Sequence, residues 1–160
     1  MLSHGVSIFA ASVRRARAIN RAHVARDLAL VGAHGTALPD DVQDWIVALV
    51  RGATSGFSHR VRKDMASLVD AVDGLAAFAS FHPHVVAIGY DIEECAAFYL
   101  SSGDLLAAIL EKNALFSPDG FVIMDPHVRS GCIVDYNGCE GGVSIEGVVL
   151  SYLGEAASGH

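Results

Sequence analysis

Apolar residues recur at helical spacing through much of the first half of the chain. The pattern predicts helices over about residues 9–32, 38–52 and 58–79, the second with acids in its first turn and a glycine as its stop. On the first helix, Arg14, Arg17 and Arg21 fall opposite the apolar face. We therefore expect an amphipathic helix whose arginines either face solvent or pair with acidic residues of the same molecule.

The pattern changes to that of β-structure toward the C-terminus. A short buried strand is predicted at residues 85–88, and helix resumes over 91–113 with Asp91 as its N-cap. Three runs rich in β-branched and aromatic residues follow at 120–125, 131–137 and 143–153, separated by Asp-Pro and Asn-Gly turn signals. This order predicts an α+β fold, with N-terminal helices on one face of a small antiparallel sheet of three strands and one earlier strand. We expect a single domain over 1–160, helical over about 6–113 and β over about 116–153.

Composition supports a compact protein with a large core. Hydrophobic residues make up 52% of the 160 residues and charged residues 18%. No apolar run approaches the ~20 residues that a membrane helix needs, so no membrane partner is expected. The three cysteines form no C-x-x-C pair, which disfavours a secreted disulfide framework and predicts a cytoplasmic location.

Charge is distributed unevenly along the chain. The net charge is −7, yet residues 1–63 carry nine Lys or Arg against four acids, and residues 64–160 carry two against fourteen. A strongly acidic portion disfavours nucleic acid, whose phosphates it repels, and favours a basic partner.

The densest group of polar residues lies in the predicted β-hairpin. Its connection, DPHVRSG, is built from residues that turns prefer, and a rigid scaffold there presents loop side chains to a partner. The acids would supply charged contacts and the tyrosine an aromatic anchor. The predicted partner-binding residues are Asp119, Asp125, His127, Arg129, Asp135, Tyr136 and Glu140.

Motifs that name a reaction are absent from the sequence. No G-x-S-x-G elbow, G-K-[ST] phosphate loop or G-x-G-x-x-G follows a predicted strand, so no catalytic residue or cofactor is predicted. His82 and His84 are two apart, which on a strand places both imidazoles on one face with Cys132 or Cys139 as a further metal ligand. An alternative is therefore a small, metal-dependent hydrolase whose scattered site comprises His82, His84, Asp125, His127 and Cys132.

The economical hypothesis is a binding protein. A small acidic protein that engages and neutralises a basic protein partner, in the manner of an immunity protein or antitoxin, needs shape and charge complementarity and no chemistry of its own. A second alternative is a structural homo-oligomer that buries an edge of the meander against another copy.

Overall fold

A computed structural model describes residues 2–54, 59–65, 68–112, 114–136 and 143–149. These ranges contain four helices and seven strands. The helices are α1 (Leu2–Leu30), α2 (Asp40–Thr54), α3 (Leu68–Phe81) and α4 (Ser102–Glu111). The strands are β1 (Gly35–Ala37), β2 (His59–Met65), β3 (His84–Gly89), β4 (Ala97–Ser101), β5 (Gly120–Met124), β6 (Ser130–Tyr136) and β7 (Val143–Val149).

All seven strands belong to one antiparallel sheet in the order β1-β4-β3-β5-β6-β7-β2. The α+β class predicted from the sequence is confirmed, and β5, β6 and β7 form the predicted meander. The sheet is larger than predicted, because β1, β2 and β4 lie in segments for which no strand is predicted, whereas β3 is the predicted earlier strand. In the described ranges, no helix has both the length and the apolar composition that crossing a bilayer requires.

The central strand β3 is buried on both faces. Val85 and Ala87 pack into a core formed with α1, α3 and α4, whereas Val86 and Ile88 pack with Ile46 of α2 in a second core. The sequence predicts that all helices pack on one face of the sheet. The structure divides them between the two faces. Coverage on both faces explains why β3 reads as a continuous apolar run.

Two predicted helical segments form strands. Residues 59–65 pair with β7 along seven consecutive positions, and α3 begins only at Leu68. Residues 97–101 insert between β1 and β3, with buried Phe98 and Leu100 on the face opposite Tyr99. β2 pairs with the distant β7, and β4 pairs with both the distant β1 and the preceding β3; this strand pairing overrides the local helical spacing of the two segments. The predicted N-cap Ser58 and the final residues from 150 onward lie outside the described ranges.

Substitution of two glycines by alanine should change the stability of the fold in opposite directions. Gly120 begins β5 at φ +130°, where an added Cβ would overlap the carbonyl oxygen of Val134, whereas Gly103 lies in the first turn of α4 with open space around it. We expect Gly120→Ala to lower the free energy of unfolding by about 2–4 kcal/mol and Gly103→Ala to raise it by up to about 1 kcal/mol. Urea unfolding of both variants measures the difference, and equal effects would contradict the close approach of β5 to β6.

Candidate functional site

The connection between β5 and β6 is a turn organised around Asp125. Its side chain is buried, with Oδ1 accepting from the backbone N–H of His127 at 2.8 Å and Oδ2 from those of Arg129 at 2.9 Å and Ser130 at 2.6 Å. Both carboxylate oxygens are therefore occupied within the turn. The geometry gives Asp125 a structural role rather than the predicted contact with a partner.

The same turn holds Val128 in a backbone conformation that valine seldom adopts. Its φ is +55°, its N–H donates to the carbonyl oxygen of Asp125 at 2.9 Å, and its side chain packs into the core beside α2. A β-branched residue at positive φ requires support from its surroundings. The hydrogen bonds of Asp125 and the burial of Val128 supply that support.

The remaining predicted partner-binding residues are divided between the two ends of the hairpin. His127 and Arg129 are exposed at the turn, whereas Asp119, Asp135 and Tyr136 lie at the other end, where the N–H of Tyr136 donates to the carbonyl oxygen of Asp119. The two ends are about 13 Å apart along β5. The structure therefore does not bring the predicted set together.

Tyr136, the predicted aromatic anchor, is partly buried. Tyr136 packs against Phe121 in the main core, and burial raises the pKa of its hydroxyl above the usual range. The predicted aromatic anchor is thus a partly buried side chain that packs against the core. Glu140 and Cys139 lie outside the described residues.

The end of the sheet that holds Asp119 gathers several acids that are distant in the sequence. β3 ends there, β5 begins there, and the segment Tyr90–Ala96, here called the β3–β4 connection, crosses it. The N–H of Tyr90 donates to the carbonyl oxygen of Gly120, and Gly120 lies opposite Asp135. We define the acidic end by the side chains of Asp91, Glu94, Asp119 and Asp135.

Charges at the acidic end act together on Cys95. Burial, as the largest cause, and the negative charges of Asp91, Glu94 and Asp119 together raise the pKa of the Cys95 thiol to about 11. Across the described part of the chain, no Lys, Arg or His side chain forms an ion pair with any of the four carboxylates. The acidic end is therefore a locally uncompensated negative surface.

Three polar side chains from two helices hold the β3–β4 connection in place. Fully buried Gln43 of α2 donates to the carbonyl oxygens of Ile92 and Cys95 and accepts from the N–H of Ala97 at 3.0 Å. From α1, Asn20 accepts from the N–H of Ala96 at 2.7 Å, and Arg17 Nε donates to the carbonyl oxygen of Glu93 at 3.0 Å. These side chains satisfy backbone groups that have no ladder partner. We call Arg17, Asn20 and Gln43 the polar clamp.

Arg17 also joins the two helices that carry the clamp. It is only 1% exposed, and its Nη1 lies 3.1 Å from Asp40 Oδ1 and 2.9 Å from Asp44 Oδ1. Arg21 pairs with Asp40 at 2.8 Å and Arg14 with Asp44 at 3.0 Å. Burial opposes ionisation of Asp40, but the two arginines outweigh it and hold its pKa below the usual value. The arginine stripe thus pairs within the molecule, with acids of α2 rather than of the C-terminal portion.

The sequence pattern does not predict the polar clamp, because the charged and polar residues of α1 and α2 are expected to face solvent. Asn20 falls between Ala16 and Val24 on the apolar stripe of α1, and Gln43 precedes Ile46 and Val47 on that of α2. A polar residue that interrupts an apolar stripe must find a hydrogen-bond partner when the stripe is buried. That interruption was the available signal.

The residues of the predicted hydrolase site do not assemble into a metal centre. The ring of His84 stacks on Tyr99 with centroids 5.5 Å apart, and that of His82 lies 4.6 Å from Phe78. No group of three His, Cys, Asp or Glu side chains suited to a metal ion occurs among the described residues. Burial raises the pKa of the Cys132 thiol to about 11, which disfavours the nucleophilic thiolate at neutral pH.

Comparisons with protein-family models, curated proteins and solved structures gave no match for this chain. The functional interpretation therefore depends on the geometry of the molecule alone.

The structural role of Asp125 can be tested against that of Asp119. Asp125→Ala removes a charged acceptor from three backbone N–H groups and should lower the free energy of unfolding by about 2–4 kcal/mol. Asp119→Ala removes an exposed side chain and should change it by less than about 0.5 kcal/mol. Urea denaturation compares the two, and a similarly small loss for Asp125→Ala would exclude its role in the turn.

The buried thiols predict how stability changes in alkali. Their pKa values are raised from 9.0 to about 11, so the unfolded chain ionises first and folding stability falls as the pH rises through that interval. At pH 10.5 the loss should be up to about 2 kcal/mol for each thiol. Urea unfolding at pH 8 and pH 10.5 should show a smaller decline for Cys95→Ala/Cys132→Ala than for the wild-type chain. Equal declines would mean that neither thiol contributes.

Proposed function

We propose that this protein is a small acidic binding protein that engages a basic protein partner through its acidic end. The observation that carries the proposal is that Asp91, Glu94, Asp119 and Asp135 lie at one end of the sheet and that no cationic side chain in the described ranges is paired to them. Like charges held together in this way repel one another. A partner that presents lysines or arginines relieves this repulsion on binding.

The acidic end also has the rigidity and the apolar component that protein recognition uses. The polar clamp fixes the β3–β4 connection, so its acids need little further ordering when a partner binds. Tyr90 lies in the same connection and is 43% exposed. Tyrosine beside charged residues is typical of interface centres.

The class of binding protein we favour is an inhibitor, such as an immunity protein or antitoxin that occludes a toxic basic enzyme. An inhibitor of this kind acts through complementarity, and clustered charge of one sign accelerates its encounter with the target. The acidic surface favours a protein partner over nucleic acid. We place this activity in the cytoplasm, where the three cysteines of the sequence would stay reduced.

The proposal is tested by finding the partner and then removing charge from the acidic end. The tagged protein is used to capture partners from its source organism at low salt, with release by a salt gradient and identification by mass spectrometry. With the purified partner, Asp119→Asn/Asp135→Asn should slow association about fivefold at low salt and flatten its salt dependence. Stopped-flow or surface plasmon resonance measures both quantities.

The matched control is Asp73→Asn/Glu111→Gln, which removes the same charge from exposed positions on α3 and α4. Its association rate should change by less than about twofold, because the net charge alone acts weakly at a distance. Equal slowing by both double variants would assign the effect to net charge, and no slowing by either would remove the acidic end from the interface.

A further inference from the structure

A cavity of about 350 Å³ lies between α1 and the segment that leads into β5. Its apolar lining includes Val24, Leu115 and Phe116, and the polar residues Asn20 and His23 of α1 and Cys95 of the β3–β4 connection also line it. Ser117 and Pro118 line it immediately before Asp119, so the cavity adjoins the acidic end. Its volume lies within the range of sites that take small ligands or single side chains.

A buried carboxylate lines this cavity. Asp27 is 7% exposed, and its buried Oδ1 accepts no hydrogen bond of good geometry. The ammonium of Lys112 lies 3.0 Å from that oxygen, and Arg26 Nε lies 3.8 Å away on the exposed side. The Lys112 side chain is 46% exposed, so its ammonium can leave the carboxylate for water at little cost.

Apolar walls that end at a carboxylate match a side chain with an alkyl stem and a cationic head. The acids beside Cys95 extend the negative field over the same region. We propose that the cavity receives a lysine side chain of the basic partner, whose ammonium replaces that of Lys112 beside Asp27. This inference rests on the proposed function, since it names the group by which the partner would be recognised.

The site can be tested without the partner by using a single lysine as the probe. Nα-acetyl-lysine methylamide is titrated into the ¹⁵N-labelled full chain, with Nα-acetyl-norleucine methylamide as the analogue that lacks only the ammonium. The lysine probe should cause saturable shifts in the amides of Asp27, Lys112 and Phe116 at millimolar concentration, and the norleucine probe should not. Absence of saturable shifts, or equal shifts with both probes, would overturn the proposal.

Variants of the two paired residues give opposite expectations. Asp27→Asn should weaken binding of the lysine probe at least about tenfold, because the charged acceptor is lost. Lys112→Met removes the competing ammonium and should strengthen binding about threefold to tenfold. Glu111→Gln removes an exposed charge next to Lys112 and should leave the affinity unchanged. If Lys112→Met binds the lysine probe with unchanged or lower affinity, the proposed replacement of the Lys112 ammonium is contradicted. This test remains valid if Asp27→Asn fails to fold.

The failures of the two proposals are distinguishable. If charge removal at the acidic end slows association with the captured partner while Lys112→Met leaves probe binding unchanged, the binding function stands and the lysine site is rejected. If the acidic-end variants leave association unchanged, the function is rejected, and the probe titration still decides whether the cavity binds an alkylammonium group.

Discussion

The polar clamp is the constraint on which the proposed binding surface depends. Arg17, Asn20 and Gln43 reach from two helices to backbone groups of one short connection, and each uses a side chain that is costly to bury without partners. Because the clamp satisfies those backbone groups, the β3–β4 connection can cross the end of the sheet without being a strand. The polar clamp therefore holds the β3–β4 connection, which has no regular secondary structure, in one conformation.

Arg17 belongs both to the polar clamp and to the ion pairs between α1 and α2. The position of the β3–β4 connection therefore depends on those ion pairs. Arg17 is compensated by Asp40 and Asp44, so its charge does not neutralise the acidic end although it lies beneath it. Three arginines of α1 pair with two acids of α2, and these pairs leave the carboxylates of the acidic end without a cationic partner among the described residues. The uneven distribution of charge along the sequence thus produces a negatively charged surface next to a cavity that is lined by the buried carboxylate of Asp27.

Local pattern predicted the elements whose partners are near in the chain. α2, α4, β3 and the β5–β6 hairpin follow from periodicity and turn residues, as does the α+β class. The helical spacing of residues 59–65 and 97–101 predicts helix in both segments. Residues 59–65 form β2 by pairing with the distant β7, and residues 97–101 form β4 by pairing with the preceding β3 and the distant β1. The acids of the site were each visible, but Asp91 and Asp119 meet only through the sheet topology. Asp125 was given a partner contact because a polar turn residue looks alike whether its oxygens face solvent or the backbone.

The position of β2 has a consequence for biogenesis. β2 is made early, yet its only ladder partner among the described strands is β7, more than seventy positions later in the chain. During synthesis on the ribosome, β2 must wait while β3 to β6 are translated, and the edge of the sheet closes last. Pairing over such a separation raises the contact order and slows folding. Loss of β7 would leave β6 and β2 each with an unpaired edge open to other chains, so the completed sheet depends on β7, the last of the described strands.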